Sequence, residues 1–304
     1  QHLITGSLRF KTGLLKRVKN ILINNQIEFE IDDRRKEVKF GKKIKLNDVQ
    51  SRPYQKRVLE AVLKNNDGIV ASATGSGKSI MIAQLIASTN VKTMIYVIGI
   101  DLLYQMAETF KKVFGTEVGV IGDGRADIKK INVCTVWTAS NALDDEYEVF
   151  DDEDQAKKEK FDVGNKEKIV KAIKEAEMTI YDECQMLATK TLQTINTSSE
   201  NAYYKFGYSG TPFRDDGADL LLEAVCGKVI VEVTPTELIR DQYLVKPTIY
   251  FLEVPEYEGE LSSQYQSIYK TYIVENEVRN KKITQAAEKL IDAGRKVLIL
   301  VKNI

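Results

Sequence analysis

The chain has 304 residues, 43% hydrophobic and 29% charged, with 44 basic and 44 acidic side chains and a formal net charge of zero. That length allows about two domains around full hydrophobic cores, and no apolar run approaches the roughly 18 residues that span a bilayer. The single histidine, His2, excludes a histidine-based triad or a zinc site with histidine ligands, and Cys134, Cys184 and Cys226 lack CxxC spacing and read as reduced core thiols of an intracellular, cytoplasmic protein.

The first 45 residues carry twelve Lys and Arg against five Asp and Glu, a net charge of +7. Phe10, Leu14, Leu15, Val18, Ile21 and Leu22 recur at helical spacing with Arg9, Lys11, Lys16, Arg17 and Lys19 between them, and Ile27, Phe29 and Ile31 then alternate as in a strand. Residues 1–46 therefore read as a small basic αβ piece. Its charged face, with Lys16, Arg17 and Lys19, either grips a phosphate backbone or is only a solvated helix face.

A helix is expected near Pro53 to Lys64 and a strand from Gly68 to Ala73, after which the chain reads ASATGSGKS from Ala71 to Ser79. Ser79 to Ala87 continues as a largely buried helix, so the glycine-bearing loop sits between strand and helix, the context a phosphate cradle needs. Across Thr74, Gly75, Ser76 and Gly77 the glycines let backbone N–H groups close around phosphate oxygens while the helix turns its positive end to the same anion. Lys78 would reach the β- and γ-phosphates and Ser79 would offer a hydroxyl to Mg²⁺. Ser72 stands where the strict pattern has glycine.

Farther on, strands are expected at Thr93 to Ile98, Ile131 to Thr135, Thr179 to Tyr181 and Lys205 to Tyr208. Helices are expected near Leu102 to Phe114, Lys166 to Glu175 and Leu187 to Thr194. The alternation predicts a parallel sheet covered on both faces. Residues 144–160 hold nine acidic and three basic side chains and read as an exposed insertion. Met178 to Cys184, MTIYDEC, is an apolar run ending in two carboxylates. At a strand's carboxyl end beside the cradle, Asp182 would hold the water shell of Mg²⁺ and Glu183 would orient or deprotonate an attacking water. After Glu237 the signals change: Lys246-Pro247 punctuates the chain, Thr248 to Val254 and Lys296 to Val301 read as strands, and Tyr265 to Ala293 reads as largely helical.

In their order, these motifs resemble the N-terminal half of a superfamily 2 helicase, from about Ser51 to Ile304. RPYQ resembles the adenine-reading element, in which Gln55 would bond the base edge and Arg52 would lie near its face. VIGIDLLYQ, ending at Gln105, resembles motif Ia, and CTVWTA resembles motif Ib. The resemblance gives Thr135 and Thr138 as hydroxyls toward one strand's phosphates and Trp137 as a base-stacking candidate that is equally a core aromatic. DECQ resembles motif II, with Gln185 where relatives usually have His or Asp, and SGTP resembles motif III, so Gln185, Ser209 and Thr211 would couple nucleotide state to nucleic-acid grip.

The basic N-terminal piece, RPYQ and SGTPFRD most resemble the UvsW group of phage recombination helicases. That implies a RecA-like P-loop domain over 47–240, preceded by the accessory piece and followed from 241 to 304 by a linker and the start of a second RecA-like domain. It also implies ATP and Mg²⁺ as cofactors and branched or partly single-stranded DNA as partner. A restriction-enzyme motor, an RNA helicase and a non-motor DNA-binding module are the alternatives. Motif V and the arginine finger of motif VI are not in the sequence. A finger contributes on the order of 10³ to 10⁵ in rate, so the chain is expected to be an N-terminal fragment that binds ATP better than it hydrolyses it.

Overall fold

In a computed structural model, residues 10–33, 35–143, 163–187, 190–211, 219–254 and 264–301 are described. The chain divides into two compact units, Gln1–Val245 and Lys246–Ile304. The acidic stretch 144–160 and Pro212 lie outside the described residues.

The larger unit is built on a sheet of eight described strands: β1 (Asp67–Ser72), β2 (Thr93–Val97), β3 (Gly119–Gly122), β4 (Arg125–Asp127), β5 (Ile131–Thr135), β6 (Met178–Asp182), β7 (Tyr204–Ser209) and β8 (Val229–Val233). They lie in the order β4-β3-β5-β2-β6-β7-β1-β8, and every neighbouring pair is parallel except β3 and β4. The central strands β2, β5 and β6 are buried along their whole length, as strands covered on both faces must be.

Helices α1 (Leu15–Asn24) through α9 complete this unit: α2 (Pro53–Leu63), α3 (Lys78–Thr89), α4 (Ile100–Phe114), α5 (Val136–Leu143), α6 (Val163–Glu175), α7 (Lys190–Ser198), α8 (Asp219–Cys226) and α9 (Pro235–Arg240). One face packs Val58 and Val62 of α2, Ile82 and Ile86 of α3 and Phe110 of α4 against Val70, Ile95, Ile180 and Phe206. The other packs Ala139 of α5, Ile169 of α6, Ile195 of α7 and Leu222 of α8 against Tyr96 and Tyr181. All three cysteines are buried free thiols, in keeping with their reading as core residues.

From Gly68 on, the expected strands and most helices of this unit are present, with boundaries shifted by a few residues; the expected helix at Leu187 to Thr194 is displaced to α7. No strand forms over Ile27 to Ile31. In the smaller unit α10 (Tyr265–Tyr269), a π-helical turn at Lys270–Val274 and α11 (Glu277–Asp292) supply the expected helix. The strands expected at Thr248 to Val254 and Lys296 to Val301 are not formed among the described residues, and Tyr250, Phe251, Leu298 and Leu300 are exposed. Alternating or apolar composition makes a strand only where a neighbour takes its backbone N–H and C=O groups. No described helix is long and apolar enough to cross a membrane.

Candidate nucleotide-binding site

The phosphate loop follows β1 and turns into α3. Gly75 and Gly77 hold φ of 81° and 83°, left-handed values that a side chain disfavours, and a Cβ at Gly75 would approach within 2.8 Å of Leu244. Ser72 acquires a role here: its hydroxyl donates to Ser76 Oγ at 2.7 Å across the buried base of the loop. Tyr54 Oη and Gln55 Nε2 donate to Ser76 O at 2.7 and 3.2 Å, bracing the loop from α2. Thr74 is exposed, and Lys78 and Ser79 occupy the first turn of α3, where backbone N–H groups and the helix dipole favour an anion.

Asp182 closes β6, separated from β1 only by β7. Glu183 follows with φ of 47°, a conformation few non-glycine residues adopt and often a mark of a functional position. Its carboxylate accepts from Lys78 Nζ and, at 2.9 Å, from Gln185 Nε2. Burial opposes its ionisation, but the bonds from Lys78 and Gln185, the Lys78 charge and a backbone N–H of Gly210 outweigh it and hold this carboxyl below its usual range.

Asp182 behaves oppositely. Burial, which the Lys78 charge only partly offsets and to which the Glu183 charge adds, pushes it up to about 6, and its Oδ1 is buried without a partner. An orphaned carboxylate oxygen beside a hydroxyl-bearing helix start suits a hard cation with oxygen ligands. The residues therefore fit Mg²⁺, which Ser79 and Asp182 would hold. Ser209 and Thr211 sit next to the loop: Thr211 N–H donates to Ser209 Oγ at 3.0 Å, and a Cβ on Gly210 would lie 3.4 Å from Thr74 Oγ1.

A cleft of about 650 Å³ opens beside the loop, lined by Arg52, Gln55, Gly75, Gly77 and Ile80 together with Asn47–Gln50, Lys112 and Val113. Sequence reasoning missed that last group. Asn47 N–H donates to Val113 O at 2.8 Å and so ties residues 47–50 to the end of α4, a tertiary link with no periodicity to betray it. Gln55, expected at a base edge, is 3% exposed, with Oε1 accepting from Arg52 N–H at 3.1 Å and Nε2 engaged with Ser76. Its amide holds the loop and the start of α2.

The residues expected to meet nucleic acid divide. Gln105 on α4 is exposed and Trp137 on α5 is 40% exposed. Thr135 and Thr138 are instead buried: Thr135 Oγ1 donates to Thr138 Oγ1 at 2.8 Å and accepts the Thr138 N–H at 3.3 Å, so the pair caps α5 rather than facing a strand. Lys16 and Arg17 are about half exposed but paired within the fold. Lys16 reaches Asn65 and Asp67, and Arg17 makes a two-pronged contact with Glu223, while Lys19 is half-buried. Their charges dock α1 on the sheet unit.

Comparison with known proteins places these features. Residues 48–214, more than half of the chain, match the family described as type III restriction enzyme, res subunit. The DNA 3'-5' translocase XPB2 of Sulfurisphaera tokodaii is 27% identical over 206 residues, covering 68% of this chain and 40% of that protein. The ATP-dependent DNA helicase uvsW of Enterobacteria phage T4 is 27% identical over 268 residues, covering 83% and 48%. The chain thus spans less than half the length of either relative. The crystal structure of the UvsW helicase from bacteriophage T4 shares the fold, with a TM-score of 0.57 at 21% identity over 75% of this chain and 81% of that one.

Proposed function

The chain belongs to the type III restriction enzyme res-subunit family, within the superfamily 2 helicases and similar to UvsW, and from this premise we propose that residues 10–245 are the ATP-binding motor domain of a DNA translocase that remodels branched DNA. The observation that carries the reading is the convergence of Lys78, Glu183 and the partnerless Asp182 oxygen on one glycine-lined loop. Bound ATP·Mg²⁺ supplies the phosphoanhydride and the divalent charge.

Everything else falls to the protein. Backbone N–H groups of Thr74, Gly75 and Gly77 would cradle the phosphates, Ser79 and Asp182 would hold the metal, and Arg52 would flank the base. Lys78 moves from Glu183 to phosphate oxygen, which frees Glu183 Oε1 to accept a proton from water. The Gly210 N–H on Glu183 ties this state to Ser209 and Thr211. Trp137 and Gln105, exposed on α5 and α4, are the strand contacts.

The branched-DNA substrate is supported by the likeness to the phage helicase over 83% of the chain. The family description favours a second reading, the motor subunit of a restriction enzyme. ATP hydrolysis with no nucleic acid, single-stranded DNA, a four-way junction, linear duplex and RNA tests both. Strongest stimulation by the junction is expected; strongest stimulation by linear duplex would favour the restriction motor, and stimulation by RNA alone would overturn a DNA substrate.

A further inference from the structure

Arg52, which lines the cleft, is backed by an aromatic side chain drawn from far along the sequence. Helix α9 starts on Thr234, whose hydroxyl accepts the Glu237 N–H at 3.1 Å. It ends in a Schellman turn: Tyr243 N–H donates to Leu238 O at 2.8 Å, Gln242 N–H donates to Ile239 O at 3.1 Å, and Gln242 holds φ of 61°. Leu238 is fully buried, and Arg57 of α2 bonds both Glu232 O and Glu237 Oε2, so the turn is fixed to the core.

The chain leaving that turn comes back to the phosphate loop. Leu244 packs over Gly75. Tyr243 sets its ring edge against Tyr54, with centroids 5.3 Å apart at 68°, and receives the Arg52 guanidinium over its face, 4.7 Å from the centroid. Arg52 also donates to Tyr54 Oη at 2.9 Å. The guanidinium thus meets an aromatic face and a phenol rather than a carboxylate. A planar guanidinium stacks on both of its faces.

Resting on the nucleotide reading above, we propose that Tyr243 is a positioning residue for the nucleobase: it holds one face of Arg52 so that the other receives the purine, while Leu244 keeps the turn seated on the loop. Tyrosine suits this task because it has few rotatable bonds and a wide face. No local pattern announces the role, since 191 positions separate Tyr243 from Arg52 along the chain.

The test is calorimetric binding of ATP and of inorganic tripolyphosphate to the wild-type protein and to Tyr243→Leu, Tyr243→Phe and Lys78→Ala. Tyr243→Leu is expected to weaken ATP about threefold to thirtyfold, the range of a partly desolvated cation–π contact, with tripolyphosphate unchanged and Tyr243→Phe close to wild type. Equal weakening of both ligands would mean that Tyr243 only supports the fold, and unchanged or tighter ATP binding would also overturn the inference. Should the wild type bind neither ligand, the nucleotide site itself falls, a failure separate from that of Tyr243.

Discussion

Lys78 in the phosphate loop and Glu183 at the end of β6 form an ion pair although 105 positions separate them. Their side chains keep only 12% and 29% exposure, so the contact is more than a solvated surface pair. It joins the group that would bind phosphate to the group that would take a proton from water. While paired, Glu183 is a weak base; when phosphate draws Lys78 away, one of the contacts that lowers its pKa is lost.

Glu183→Gln is therefore expected to lower ATP turnover by about 10²- to 10⁴-fold, the usual contribution of a positioned base. ATP affinity should hold or rise, because Lys78 no longer has a carboxylate competing for it. Steady-state hydrolysis and equilibrium binding on the same sample check both halves. Undiminished turnover would remove Glu183 from the base role.

Ser72→Gly restores the strict loop pattern but deletes the bond to Ser76. A loss of about 1 kcal/mol in stability by urea denaturation is expected, with ATP affinity within about threefold of wild type. A large loss of affinity would show that the Ser72 hydroxyl shapes the cradle itself.

Helix α1 should undock when its seat is blocked. A Cβ on Gly13 would lie 2.2 Å from Glu223 O, an impossible contact, so Gly13→Val should expose residues 12–24 to protease. Arg17→Ala, losing a half-exposed partner of Glu223, should cost on the order of 1 kcal/mol and leave the salt dependence of DNA binding unchanged. A shallower salt slope in Arg17→Ala would return Arg17 to the DNA interface.

Lys205 on β7 gives a pH dependence. Burial, with the nearby positive charges of Arg35 and Lys11, brings its ammonium down to about 8, although Nζ donates to Asn196 Oδ1 at 2.9 Å. The unfolded chain keeps this proton to about 10.5, so between these values the unfolded state binds more protons and stability rises with pH. Relative to Lys205→Met, the wild type should gain on the order of 1 to 3 kcal/mol from pH 8 to pH 10. A difference independent of pH would mean that the lysine stays charged in the fold.

The placement of the candidate site was legible because its motifs are local. ASATGSGKS and MTIYDEC each carry their own strand context, and burial on both faces of β1 and β6 leaves continuous apolar runs that mark the strands. What depends on partners was not legible. Thr135 and Thr138 looked available until their mutual bond was seen, and Lys16 and Arg17 read as a free basic face until Asp67 and Glu223 appeared opposite them. Asn47–Gln50 reach the cleft, and Tyr243 and Leu244 reach Arg52 and Gly75 beside it, through turns and tertiary hydrogen bonds that leave no periodic trace. The apolar segments at Thr248 and Lys296 show the reverse, strand-like composition without a paired neighbour.

The most direct test of the account is equilibrium binding of ATP, with Mg²⁺ present and absent, to the wild-type protein, Lys78→Ala and Asp182→Asn. The account predicts that Lys78→Ala binds at least about tenfold more weakly in both conditions, while Asp182→Asn loses mainly the gain that Mg²⁺ gives the wild type. Equal ATP affinity in all three proteins, with the same response to Mg²⁺, would contradict a nucleotide site at this loop.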